Sequence, residues 1–341
     1  MSLEEYLTFD DVALVPQYNN VDSRLEPSLE TWLTNKRKMD LPILAANMDT
    51  VIGDDLASVL INNGIIPIFH RFQPLSERIT QVQKFTDKCF ISCGLNDMSE
   101  TLTLLNEPCL GVCVDIAHGH SESMKNYIEE LRRKTDKDII AGNVCTSMAV
   151  HDLVTWGANA VKVGIGPGSC CTTRVTTGLG TPQWTTIKKC AEVANRLRVP
   201  IIADGGIRGS RDIALAIGAG ASSVMIGGLF SKTFESSAPK KNVIENGVNV
   251  IYAGYRGQAS KDFQDDFYGG LKKGTVAEGV KFDIKCSGSA NELLNELRGG
   301  LRSAMTYGGA RNIKEFQRKA EFVRVTPSYS NESNPRMNIT H

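Results

Sequence analysis

The chain has 341 residues, 38 Lys+Arg against 38 Asp+Glu, 41% hydrophobic residues and nine cysteines. Zero net charge excludes a bulk basic surface for nucleic acid or an acidic membrane, and no apolar stretch reaches membrane-spanning length. The start, Met1-Ser-Leu-Glu-Glu-Tyr6, lacks the basic and apolar regions of a secretory leader, and an odd set of cysteines in apolar runs fits reduced thiols in a cytoplasmic protein.

From Leu41 onward, short apolar runs alternate with longer charged stretches. In chain order the runs are Ile43–Ala46, Ile65–Phe69, Phe90–Cys93, Gly111–Val114, Asp138–Ala141, Ala160–Val163, Pro200–Ala203 and Ser223–Ile226. Near-continuous apolar strands separated by helices imply a parallel sheet covered on its outer face, and eight such units predict a closed (β/α)8 TIM barrel. The three-to-four spacing of apolar residues in 123–132 and 186–196 predicts amphipathic helices there. A doubly wound sheet is the competing architecture. It is disfavoured because no Gly-x-Gly-x-x-Gly follows a strand, and Gly164-Ile-Gly-Pro-Gly168 breaks that spacing with a proline. Cys89 and Cys93, like Cys109 and Cys113, are four apart without zinc-site spacing, and read as small buried residues.

After the eighth run the pattern changes. Residues 231–288 are rich in Gly, Lys and Asp and carry a strand-like run, Gly247–Tyr252. This is too long for an ordinary connection and reads as an inserted ribbon and active-site flap. A last helix over 291–305 would close the barrel, and a polar tail from Ser328 reads as frayed or used at a subunit contact. Residues 1–341 are thus read as a single catalytic domain.

The chemistry concentrates in Gly166-Pro-Gly-Ser-Cys-Cys-Thr-Thr-Arg174, the loop leaving the sixth predicted strand. Its glycines allow close approach to a ligand, Ser169 and the loop amides can donate to a phosphate, and Cys171 stands where a nucleophile could reach the anchored molecule. An unassisted thiol has a pKa of roughly 8.5 and needs activation near neutrality. The neighbouring Cys170 reads as structural. Ser169, the backbone of Gly205 and Gly206, and that of Gly227 and Gly228 follow the sixth, seventh and eighth strands, where barrels commonly bind phosphate. His118 and His120 lack a nearby third ligand and read as hydrogen-bonding residues rather than metal ligands.

This loop, together with Ala46-Asn-Met-Asp-Thr-Val51, Asp115-Ile-Ala-His-Gly-His-Ser121, Ala141-Gly-Asn-Val144, Asp204-Gly-Gly-Ile207 and Gly299-Gly-Leu-Arg-Ser303, resembles the inosine monophosphate dehydrogenase and guanosine monophosphate reductase family. The resemblance runs from Leu7 to Val325. It implies that the Cys171 sulfur attacks purine C2 to form a thioimidate, with Thr173 and Glu278 as the proton-handling pair. Without the resemblance, Glu278 would read as a solvated flap charge and Thr173 as a helix-capping hydroxyl. The resemblance further assigns the mononucleotide to Ser169, Asp204, Gly205, Gly206, Gly227, Gly228, Tyr255, Ser260 and Gly279, with Asp204 accepting from the ribose. It assigns the dinucleotide to Asp115 and Asn143, and a potassium ion to the carbonyls of Gly166, Gly168 and Cys171; Arg71 could hold an anionic part of the dinucleotide, although an arginine after a strand is as often simply solvated. Relatives form homotetramers. The regulatory CBS domains that often follow the second strand are absent here, because His70 runs into one helix and then the third strand.

Two reactions share the thioimidate. The dehydrogenase, using NAD, must hydrolyse it and takes an adjacent arginine and tyrosine from the flap as base. The reductase, using NADPH, converts GMP to IMP and ammonia. Residues 261–277 contain no arginine, Tyr268 follows Phe267, Ala46-Asn-Met-Asp49 has the reductase form, and Gly269-Gly270 falls near the reductase flap glycines. Against this, Asp115-Ile-Ala-His-Gly-His120, Asp204-Gly-Gly-Ile-Arg208 and Tyr255-Arg-Gly257 look more dehydrogenase-like, and Gln258 departs from both. The expectation is a reductase. The alternatives are a dehydrogenase lacking CBS domains and a silent nucleotide sensor, which would have no need of the thiol.

Overall fold

A computed structural model describes residues 3–333. Seven parallel strands form the central sheet: Ile43–Ala45, Ser223–Ile226, Ile201–Asp204, Ala160–Val163, Asp138–Val144, Gly111–Asp115 and Phe90–Cys93, in that spatial order. Each strand from Phe90 onward pairs with the next in the chain, and the last lies beside the first through Val224↔Ile43. This is the circular order of the predicted barrel. The second predicted strand is reduced to one bridge, Ile68↔Phe90. Pro67 explains the shortfall, since it has no N–H to donate and only its carbonyl joins the ladder, taking the Phe90 amide at 2.9 Å.

The strands are short because they are buried on both faces. Val161 and Val163 are fully enclosed, and so are Ile140, Val112 and Val224. The predicted helices are present as Glu122–Lys134 and Gln183–Leu197, the first capped by Ser121, whose Oγ accepts the Met124 amide. The closing helix runs Ala290–Tyr307 behind a capping box of Ser289 and Glu292. Two short pairings have no counterpart among the predicted elements. Val12–Leu14 pairs antiparallel with Phe322–Arg324 and ties the two ends of the chain together, and Thr31–Thr34 pairs with Arg37–Met39. That hairpin plugs the lower end of the barrel: Thr34 Oγ1 donates to the buried Asp138 carboxylate at 2.5 Å, and Arg37 Nε lies 3.2 Å from the same oxygen. The tail from Ser328 begins with a short helix, Ser328–Ser333, and the rest of it lies outside the described residues.

The insertion forms a three-stranded antiparallel sheet of Lys240–Glu245, Val248–Arg256 and Lys281–Lys285. Between its second and third strands stands a helix, Lys261–Tyr268, which the sequence pattern does not announce. Phe263 anchors it: fully buried, the ring meets Phe72 edge-on at 4.6 Å and Phe267 face-on at 4.6 Å, with the Arg256 guanidinium 5.2 Å away. Arg256 also donates to Asp49 Oδ2 at 2.8 and 3.0 Å and pairs with Asp266, so one guanidinium joins the inserted sheet, its helix and the loop after the first strand.

Truncating this anchor should loosen the helix without melting the barrel. Phe263→Ala removes a buried aromatic worth about 3–5 kcal/mol. Amide exchange across 257–280 is expected to accelerate at least about 100-fold while the barrel strands keep their protection. Equal acceleration in the strands would show that the insertion and barrel open as one unit.

Candidate active site

Two adjoining cavities of about 330 and about 520 Å³ open over the C-terminal ends of the strands. They share Gly168, Asp204 and Tyr255. Cys171, Thr173, Glu278, Asp115, Asn143, Arg71 and Gly166 line the first. Ser169, Gly205, Gly206, Gly227 and Gly228 line the second. Ser260 and Gly279 line neither. Ser260 is fully buried, and its Oγ caps the inserted helix by accepting the Phe263 amide; Gly279 bridges both Cys171 and Ser260.

The thiol is positioned by backbone pairing between the loop and the insertion. The Thr172 amide donates to the Glu278 carbonyl and the Val280 amide to the Cys170 carbonyl, each at 3.0 Å. This pairing brings together side chains 105 positions apart. Cys171 Sγ donates to Thr173 Oγ1 at 3.2 Å, and Thr173 Oγ1 donates to Glu278 Oε2 at 2.8 Å. A thiol, a hydroxyl and a carboxylate in series form a route by which the sulfur's proton can leave and return. The two neighbouring cysteines differ in environment: Cys170 is buried, which pushes its thiol up to about 12, whereas Cys171 is partly exposed on the cavity wall.

Beneath the thiol lies an ionic network that the sequence reading missed. Lys162 points into the barrel, and its Nζ sits 2.8 Å from Asp115 Oδ1 and 2.7 Å from Asp204 Oδ2. Burial alone would lower the Lys162 pKa, but the two carboxylates outweigh it and hold the ammonium above its ordinary value. Burial would likewise raise Asp115, but Lys162 outweighs it and holds the carboxyl below its usual range, with help from the Asn47 amide at 2.9 Å. Asn143 Nδ2 donates to the Gly164 carbonyl at 2.7 Å and to Asp204 Oδ2 at 2.9 Å. Two acceptors on that nitrogen fix the amide's orientation, and its Oδ1 is buried with no partner. Asn143 lines the first cavity, so a small rotation of its amide would offer this unmatched acceptor to an incoming N–H.

The second cavity is built for close approach. Gly205 and Gly206 adopt φ of +89° and +82°, left-handed backbone open to glycine. A Cβ at Gly227 would come within 2.4 Å of Tyr255 Oη. Across the first cavity, Phe72 and Tyr268 contribute aromatic surface, and the Arg71 guanidinium lies 4.6 Å from the Phe72 ring centre and 3.7 Å from Asp97. Burial, then Arg78, pushes the His70 pKa down to about 4, so its neutral Nδ1 can accept the Phe72 amide at 3.2 Å and shape this turn. Gln258 donates to the Asn47 carbonyl at 2.8 Å and closes the roof. His120 pairs with Asp152 at 2.9 Å, and neither it nor His118 lines these cavities. No cluster of His, Cys, Asp or Glu fit for a metal ion occurs among the described residues. No helix among them is long and apolar enough to cross a membrane.

Comparison with known proteins agrees with this geometry. The IMP dehydrogenase / GMP reductase domain matches residues 6–336. Inosine-5'-monophosphate dehydrogenase of Cryptosporidium parvum is 34% identical, the match covering 96% of this chain and 94% of that protein. GMP reductase of Shewanella pealeana is also 34% identical, over 95% and 96%. Among solved structures, a single-residue variant of GMP reductase from Trypanosoma brucei, in complex with guanosine 5'-monophosphate, superposes with a TM-score of 0.91 at 27% identity, covering 98% of each chain.

The Lys162 network predicts a stability that depends on pH. Asp115 titrates below its unfolded 3.8, so its contribution is complete above roughly pH 5 and is lost as pH falls through 3.8 and below. The Lys162 contribution is present below its unfolded 10.5 and is lost as pH rises through the higher folded value. Lys162→Met leaves two carboxylates uncompensated and should cost about 3–5 kcal/mol near neutrality. Thermal melts across pH should show the gap to the parent narrowing as pH falls through the carboxylate range, because Asp115 without Lys162 keeps only the burial that raises its pKa. A gap that stays constant with pH would contradict the network.

Proposed function

Because the chain belongs to the IMP dehydrogenase / GMP reductase family, we propose that it is a GMP reductase converting GMP and NADPH to IMP, ammonia and NADP. The observation that carries this reading is the series Cys171–Thr173–Glu278, set in a cavity whose insertion offers no free arginine to activate water. Residues 261–277 contain none, and Arg256, at the base of the insertion, is engaged by Asp49 and Asp266. Tyr268 reaches the cavity without such a partner. A thioimidate formed here is poorly equipped for hydrolysis, which favours the reductive outcome.

The substrate is a purine mononucleotide. Its 5'-phosphate would lie on the amides of Gly206, Gly227 and Gly228 with Ser169 and Tyr255 donating hydroxyls, a cradle that glycine alone leaves open; the Gly205 amide is spent on the Met225 carbonyl at 3.3 Å, so that residue lines the site without donating to it. Asp204 Oδ2 is taken by Lys162 and Asn143, which leaves Oδ1 for the ribose hydroxyls. Cys171 Sγ then adds to purine C2. The thiol proton passes through Thr173 to Glu278 and on to the departing amino group, so the C2–S bond forms, the C2–N bond breaks and ammonia leaves. When the C–S bond later breaks, the same series reprotonates the thiolate with a proton taken up from solvent through Glu278.

The residues present fit a nicotinamide dinucleotide. The unmatched Asn143 Oδ1 suits a carboxamide N–H, Phe72 and Tyr268 offer aromatic surface, and Arg71 suits an anionic part. Bound there, the reduced cofactor supplies hydride to C2. The carbonyls of Gly166, Gly168 and Cys171 are a neutral oxygen set suited to potassium, folded onto one turn by the Cys171 amide donating to the Gly168 carbonyl at 3.0 Å. The insertion acts as the flap, and the protein works in the cytoplasm as a homotetramer.

A second reading, NAD-dependent IMP dehydrogenase, is favoured by the Cryptosporidium relative. Dinucleotide absorbance separates the two. The parent protein is expected to oxidise NADPH with GMP, and NADH formation from IMP and NAD would overturn the assignment. Cys171→Ala should abolish turnover while Cys170→Ala keeps it, and Glu278→Gln should lower kcat by roughly 10²–10⁴-fold.

A further inference from the structure

The phosphate cradle as described contains glycine amides and two hydroxyls but no available cation, although a 5'-monophosphate carries nearly two negative charges near neutrality. Two basic side chains line the same cavity, Arg208 and Lys232. Arg208 is engaged: its Nη2 lies 2.6 Å from Asp10 Oδ1 and its Nε 3.0 Å from Asp212 Oδ2. Lys232 has no ion pair and no side-chain hydrogen bond to any described residue. Its carbonyl is held by the Ser287 amide at 3.0 Å, which fixes the backbone while the side chain stays unpartnered.

Its surroundings argue against a merely solvated lysine. Lys232 is only partly exposed, one turn beyond Gly227 and Gly228, where Leu229 from the barrel meets Phe282 and Ile284 from the inserted sheet. An apolar collar of this kind suits a lysine stem and leaves the ammonium to be matched by charge within the cavity.

Resting on the mononucleotide reading of this cavity, we propose that Lys232 is a specificity-determining residue whose ammonium neutralises the 5'-phosphate of the bound nucleotide. It makes the site select nucleotides over nucleosides. The amides and hydroxyls orient the phosphate, and Lys232 supplies the charge that they lack.

Calorimetric titration of the full-length protein with IMP, without dinucleotide, tests this. Lys232→Met keeps most of the stem and is expected to weaken IMP binding roughly 10- to 100-fold, as for loss of a charge-assisted contact, while Lys232→Arg retains most of the affinity. Binding of inosine at millimolar concentration should be the same in parent and Lys232→Met. The fall of IMP affinity with added salt should be shallower in that variant. Unchanged IMP affinity in Lys232→Met would overturn the proposal, as would an equal loss for IMP and inosine, which marks a packing effect. Failure of the parent protein itself to bind IMP would remove the mononucleotide reading, and the role of Lys232 with it.

Discussion

The active site depends on a short stretch of backbone pairing between the loop 170–172 and the segment 278–280. Cys171 forms a bridge to Gly279, flanked by the amides of Thr172 and Val280 donating across the junction. Neither segment belongs to a regular strand; this contact, the Glu278 amide donating to the Ala259 carbonyl at 3.0 Å and the Thr173–Glu278 hydrogen bond together set the distance from the thiol to the carboxylate. The pairing needs Gly279: a Cβ there would stand 3.0 Å from the Ser260 amide nitrogen and 3.1 Å from the Cys170 carbonyl. Ser260 and Gly279 thus act one step behind the chemistry, by locking the insertion onto the nucleophile loop.

Below that junction the barrel supplies a rigid floor. Lys162 gathers Asp115 and Asp204 from strands on either side, and Asn143 and Asn47 complete the network. Buried charge of this kind contributes little net stability compared with apolar packing, but removing one member leaves the others uncompensated. The consequence is geometric: one oxygen of Asp204 is occupied within the protein and the other is presented to the cavity. At the edge where the inserted sheet meets the barrel, Lys232 lines the second cavity without an ion pair among the described residues.

Much of this was legible from residue patterns, for reasons that can be named. The apolar runs located seven laddered strands, because strands buried on both faces have no polar alternation to obscure them. The second run, Ile65–Phe69, looked equivalent but contains Pro67, which limits it to a single bridge. Val12–Leu14 and Phe322–Arg324 are three residues each, too short to carry a period. The helix Lys261–Tyr268 was obscured by its acidic residues, although Phe263 and Phe267, four apart, are the signal of its buried face. Lys162 was hidden inside the run Ala-Val-Lys-Val. A lysine between two outward-facing valines of a barrel strand must point inward, and an inward lysine requires acidic partners, here one on the adjacent strand (Asp204) and one two strands away (Asp115). The position of the loop 166–174 needed no such inference, because its glycines and proline end the strand there. Glu278 did, because Thr173 lies 105 positions away and only the fold brings them together.

In the function proposed above, Cys171 and Glu278 act on one purine carbon through Thr173. A crystal structure of the Glu278→Gln variant with GMP tests it most directly, since that variant should hold the nucleotide without turning it over. Cys171 Sγ is expected within bonding reach of C2, the phosphate on the glycine cradle, and Thr173 still bridging sulfur and the side chain at position 278. A nucleotide bound with its base away from the thiol, or a thiol rotated out of the cavity, would contradict it.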